Sequence, residues 1–61
     1  MKLKKLLKHM TDDDKIRVVA DYDGRKLFSG WTYECGQHRK LLKRKITFLL
    51  PADYELVVFV K

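Results

Sequence analysis

The stretch from Lys15 to Tyr33, KIRVVADYDGRKLFSGWTY, constrains the fold most, because two runs rich in β-branched and aromatic residues meet at Asp23-Gly24. Tight turns whose twist matches that of paired strands need positive φ, which glycine adopts without steric penalty and aspartate tolerates. The stretch therefore predicts a β-hairpin. With Asp23 and Gly24 as a two-residue loop, Asp21 faces Lys26, Ala20 faces Leu27, Val19 faces Phe28 and Ile16 faces Trp31. One face then carries Ile16, Val18, Ala20, Leu27 and Trp31. A three-residue loop, Tyr22-Asp23-Gly24 with a bulge at Gly24, instead sets Val18 against Phe28 and turns the second strand over. We adopt the two-residue loop and keep the other open.

Two further strands are predicted, Lys45 to Leu50 (KITFLL) and Glu55 to Lys61 (ELVVFVK), joined by a loop of Pro51, Ala52, Asp53 and Tyr54. The last is apolar on both faces, with Leu56, Val58 and Val60 on one and Val57 and Phe59 on the other, which suits a central position in the sheet. MKLKKLLKHM spaces Leu3, Leu6, Leu7 and Met10 as one helical stripe among lysines, a short amphipathic helix that must dock on the sheet to be stable. Thr11-Asp12-Asp13-Asp14 reads as a solvated turn, since nothing downstream supplies the alternating ligands of a calcium loop. HRKLLKRK gives one or two helical turns pinned by Leu41 and Leu42. The tetrapeptide KLLK precedes each pair of strands, an echo that fits a ββ unit introduced twice by a basic helix. The expected fold is a single α+β domain over residues 1–61, ordered α-β-β-α-β-β. It has a four-stranded, mainly antiparallel sheet and two short basic helices packed on one face.

A chain of 61 residues buries only about 60% of its unfolded surface, too little for a deep catalytic cleft. Cys35 and His38 are three apart, yet a zinc site needs more ligands than this chain offers nearby. A Cys-His nucleophile needs an orienting group and an oxyanion site. No metal, cofactor or enzymatic activity is expected. Residues 1–10 are too short and too lysine-rich to span a bilayer, so no membrane partner is expected. The lone cysteine and the lack of a secretory signal point to the cytoplasm.

Two short helices cover one face of a four-stranded sheet, yet apolar residues point to both. Val19, Phe28, Leu49, Val57 and Phe59, or their alternates, fall on the far side and predict a protein partner or a second copy. Net charge is +6, and nine of the fourteen cations lie in the two helical segments. Side by side, those helices would present one positive surface able to neutralise phosphates. Tyr22, Trp31 and Tyr33 are candidate partner-binding anchors, being rigid aromatics able to fill an interface pocket or stack on unpaired bases. Arg39, Lys40, Lys43 and Arg44 would steer association with an acidic or nucleic-acid-bearing partner. No recognised nucleic-acid module is present.

Asp23-Gly24, Leu27-Phe28 and Gly30, followed by Leu41-Leu42, Arg44 and Ile46 and a closing apolar strand, resemble a pattern of small proteins from Firmicutes bacteria and their phages. In these, "DG..LF.G" precedes "LL.R.I". The resemblance covers most of the chain and assigns no residue a role. It implies a phage or mobile-element protein, similar in size and style to those that act against host defence systems, CRISPR effectors included, by occupying a binding surface. The function expected is a non-enzymatic binding module that masks a surface on a host protein or ribonucleoprotein. The alternatives are a small DNA- or RNA-binding protein and a structural homodimer.

Overall fold

A computed structural model describes residues 1–11 and 13–61; Asp12, part of the predicted acidic turn, lies outside the described residues. The first hairpin forms where the alternating pattern places it, with β1 over Lys15–Ala20 and β2 over Lys26–Trp31. Its loop, however, runs from Asp21 to Arg25. The Ala20 N–H donates to the Arg25 carbonyl (2.9 Å) and the Gly24 N–H to the Ala20 carbonyl (2.9 Å). Asp23 Oδ1 accepts the Arg25 N–H at 3.0 Å, and Gly24 adopts φ 73°. The aspartate braces the turn from inside while glycine supplies the left-handed residue.

This loop corrects the two-residue register. Val18 faces Phe28, as in the alternative pairing, but the extra residue sits at Leu27 in β2, because Val19 next faces Lys26. Ile16 faces Gly30 and Lys15 faces Trp31. Phe28 thus joins the face of Ile16, Val18 and Ala20, and Trp31 leaves it.

β3 spans Ile46–Pro51 and β4 spans Leu56–Val60, in the sheet order β2-β1-β4-β3. Both hairpins are antiparallel, and β1 runs parallel to β4 at the centre. The last strand is central, as its two-sided apolar pattern requires: Val58 and Val60 are buried, and Val57 and Phe59 half-buried. Pro51, expected in the loop, ends β3 instead. β3 is an edge strand, where a residue lacking an N–H is tolerated. The KLLK echo is not a structural repeat, because the central neighbours are the first strand of one hairpin and the second of the other.

Among the described residues there are three short helices, α1 over Leu3–Leu7 ahead of the first strand, and α2 over Thr32–Cys35 and α3 over Arg39–Leu42 in the connection between β2 and β3. α1 is shorter than its apolar stripe because the chain after Leu7 continues only as i→i−3 turns, the His9 N–H donating to the Leu6 carbonyl (3.0 Å) and the Met10 N–H to the Leu7 carbonyl (3.2 Å), and the residues before it join the sheet. The Ile46 N–H donates to the Met1 carbonyl (2.8 Å) and the Leu3 N–H to the Arg44 carbonyl (3.0 Å). That anchorage places Leu3 wholly inside the core with Ile16, Val18, Cys35, Leu41, Val58 and Val60. α2 was not expected, since Tyr33 read as strand and the next residues as irregular. Tertiary bonds hold it: the Thr32 N–H donates to the Asp14 carbonyl (2.9 Å) and the Thr32 hydroxyl to the Thr11 carbonyl. Glu34 Oε1 accepts the Trp31 N–H at 3.1 Å. This is half of a capping box, because an indole has no acceptor with which to return the bond.

Candidate functional site

The sheet has two unlike sides. All three helices lie over the side of Ile16, Val18, Val58 and Val60, whose residues pack with Leu3, Cys35 and Leu41. Pairing places Arg17 beside Val57 and Val19 beside Phe59 on the other side, extended by Phe48 opposite Phe59 and Leu50 opposite Val57. Among the described residues no helix packs on this outer face; Val19 is buried there among its neighbours at 7% exposure, and the apolar exposure lies towards β3. Phe48 is 57% exposed and Leu50 46%; the Phe48 ring meets Phe59 edge-on, with centroids 5.8 Å apart. An apolar zone over β3 and β4 thus adjoins a cationic zone over β1 and β2 that holds Lys15, Arg17 and Lys26. Lys15 Nζ lies over the Trp31 ring, 5.4 Å from its centroid. Arg17 Nε stands 2.8 Å from Glu55 Oε1. The contact is an ion pair without an aligned hydrogen bond, since that buried oxygen has no N–H directed at it. With half of Arg17 in solvent it adds little stability.

Of the far-face residues expected from sequence, Val19, Val57 and Phe59 lie there and Phe28 does not. Leu49 is also corrected. A bulge at Thr47 separates the pair Ile46–Val60 from Phe48–Phe59, so Phe48 and Leu50 turn outward and Leu49 faces the core side. The Thr47 hydroxyl donates to the Phe59 carbonyl at 3.2 Å and so occupies the irregularity. Phe48 and Leu50 were missed for this reason. A bulge leaves no mark in the alternation that precedes it.

The helical layer carries the charge. α1 and α3 pack side by side, and a concavity between them is lined by Lys2, Lys4, Arg39, Leu42 and Lys43. Arg39, Lys40 and Arg44 edge a second concavity beside Leu27 and His38. The structure therefore gathers Arg39, Lys40, Lys43 and Arg44 on one surface and adds the lysines of α1. It does not gather the three aromatics. Tyr22 is exposed at the hairpin tip, Trp31 lies at the far end of the same hairpin on the outer face, and Tyr33 is exposed in α2. Tyr54, 87% exposed, was passed over as a loop residue and shares a shallow hollow with Trp31 and Lys15.

Cys35 and His38 do not form a reactive pair. The thiol is wholly buried, and desolvation there raises its pKa from 9.0 to about 11. The His38 ring instead rests edge-on against Phe28 at 5.1 Å. At pH 8 the thiolate fraction is roughly a thousandth. Iodoacetamide is therefore expected to label the folded protein far more slowly than the urea-unfolded chain. The sign follows from the raised value: the neutral thiol suits the folded state below pH 9.0, and that advantage is lost as pH rises towards about 11. Labelling of the folded protein at the unfolded rate would place Cys35 outside the core.

Among the described residues no group of three or more His, Cys, Asp or Glu side chains is placed to hold a metal ion. Among the same residues no helix is long and apolar enough to cross a membrane. Comparison with protein-family models, with curated proteins and with solved structures finds no match.

Proposed function

We propose that this chain is a non-enzymatic binding module that covers a surface on a protein or ribonucleoprotein partner in the bacterial cytoplasm. The observation that carries the reading is the bare outer face, where Phe48 and Leu50 stand in solvent beside Val57 and Phe59. A contiguous apolar surface on so small a domain is suited to contact. Its flank of Lys15, Arg17 and Lys26 fits a partner whose apolar centre is bordered by carboxylates. A second copy fits less well, since it would press two chains of charge +6 together. Trp31, at the edge of this face, supplies a rigid aromatic anchor; Tyr33, exposed in α2, and Tyr22, at the opposite end of the hairpin, would serve only a larger partner. The cations of the helical layer hasten approach to any anionic assembly. The resemblance to small Firmicutes and phage proteins supports a mobile-element setting and an inhibitory role against a defence nuclease.

The test uses immobilised wild-type protein, Phe48→Ser/Leu50→Ser and Trp31→Ala/Tyr33→Ala, each shown to be folded by circular dichroism. They are exposed to nuclease-treated bacterial lysate, and the retained protein is purified and titrated. We expect a defined partner whose affinity falls about tenfold or more with the Phe48/Leu50 pair. Equal affinity for wild type and that pair overturns the reading. So does sedimentation showing that these side chains only join two copies of the chain.

A further inference from the structure

The cations of the helical layer are connected as well as numerous. Three shallow concavities follow one another across α3 and α1. The first is lined by Arg39, Lys40 and Arg44 together with Leu27, His38 and Leu41. The second takes up Arg39 again, with Lys43 on the same helix and Lys2 and Lys4 opposite. The third retains Lys2 and Lys4 and continues to Lys5 and Lys8. Because each concavity shares residues with the next, the charge forms a track rather than scattered points.

We infer that this track binds the phosphodiester backbone of a nucleic acid without reading its bases. No Asp or Glu occurs in residues 1–11 or 36–52. The ion pair found among the described residues, Arg17 with Glu55, belongs to the outer face; on the track Arg44 donates to the Lys61 carbonyl at 3.4 Å, and Arg39, Lys43 and the lysines of the α1 segment are left to meet an outside anion. A linear polyanion suits this arrangement better than a protein does. Lysine is depleted in protein interfaces, which draw on aromatic anchors, and the exposed aromatics Phe48, Trp31 and Tyr22 all lie elsewhere. The track carries no Phe, Tyr or Trp: the rings lining it are the imidazoles of His38 and His9, and His38 is already set against Phe28, which leaves phosphate contacts to supply most of the affinity. Arg39, at the junction of two concavities, offers a planar fork that matches phosphate oxygens. The slab measures 28 × 25 × 16 Å; a track of about 20 Å along its broad face spans roughly six phosphates of one duplex strand at about 3.4 Å of helix axis each.

The inference rests on the binding-module reading only in treating the chain as non-enzymatic, and different substitutions test the two faces. Fluorescence anisotropy with a labelled single strand of about 12 nucleotides, the matching duplex, and polyglutamate of similar charge provides the test. With six contacts, affinity for the duplex is expected to fall roughly 2,000-fold between about 50 and 200 mM salt, and affinity for the single strand by less. Arg39→Gln/Lys43→Gln should weaken binding about tenfold at low salt and flatten the salt slope by more than about one. Lys4→Gln on α1 should act in the same direction, while Arg25→Gln, a matched loss of charge on the hairpin loop, and Phe48→Ser/Leu50→Ser should change affinity by less than about twofold. Tighter binding of single strand or duplex identifies which form presents the backbone, and either supports the inference. It is overturned by absent binding, by equal losses from Arg25→Gln and Arg39→Gln, or by polyglutamate binding as tightly as the oligonucleotides. Loss of oligonucleotide binding on Phe48→Ser/Leu50→Ser would likewise move the site off the track.

Discussion

Leu3→Ala is expected to destabilise the domain by about 2–5 kcal/mol, the range for truncating a fully buried leucine that leaves a cavity. Leu3 has no exposed surface and is the one core side chain that α1 contributes. A helix of five residues has no stability of its own, so removing its anchor releases Leu6 and Leu7 with it. A domain of this size has only roughly 3–9 kcal/mol in total, and each kcal/mol lowers Tm by about 4–8 °C. Urea unfolding of the variant should show the loss directly. A change below about 1 kcal/mol would mean that α1 does not cover the sheet.

Gly30→Ala is expected to cost about 2–4 kcal/mol, combining a strained backbone with overpacking. Gly30 adopts φ 157°, and a Cβ built there stands 3.0 Å from Glu34 Oε1 and 3.2 Å from Phe28 Cζ. Neither neighbour yields freely. The Glu34 carboxylate accepts the Trp31 N–H and so starts α2, while the Phe28 ring packs on the core. Gly24→Ala provides the comparison. Gly24 has φ 73° with nothing within 4 Å of a Cβ, so only the left-handed backbone penalty of about 1–2 kcal/mol applies. Thermal unfolding of the two variants should rank Gly30→Ala as the more damaging. Equal losses would show that contact with Phe28 and Glu34 contributes nothing.

The strands were legible because their signal is local. Val, Ile and Phe at alternate positions of β1 and β4 identify a pleated, half-buried chain before any partner strand is known. Register was less legible. The bulges at Leu27 and Thr47 arise when two strands settle their side chains against a shared core, and they reversed the expected placement of Phe28, Leu49 and Trp31. α2 was invisible for a related reason, since its four residues form a turn only because Thr32 bonds to the segment before β1. In the candidate site, the cations of both helical segments could be counted from sequence. Their union into one track required α1 and α3 to be neighbours.

By itself the sequence determined the four strands, the two hairpins, the central place of the last strand and two cation-rich helical segments, because each depends on composition and spacing within a few residues. Only the tertiary structure decided that β1 and β4 run parallel, that Phe48 and Leu50 rather than Leu49 face outward, and that Tyr22 stands apart from Trp31. These outcomes depend on contacts between residues distant in the chain, where a shift of one position turns every following side chain to the opposite face.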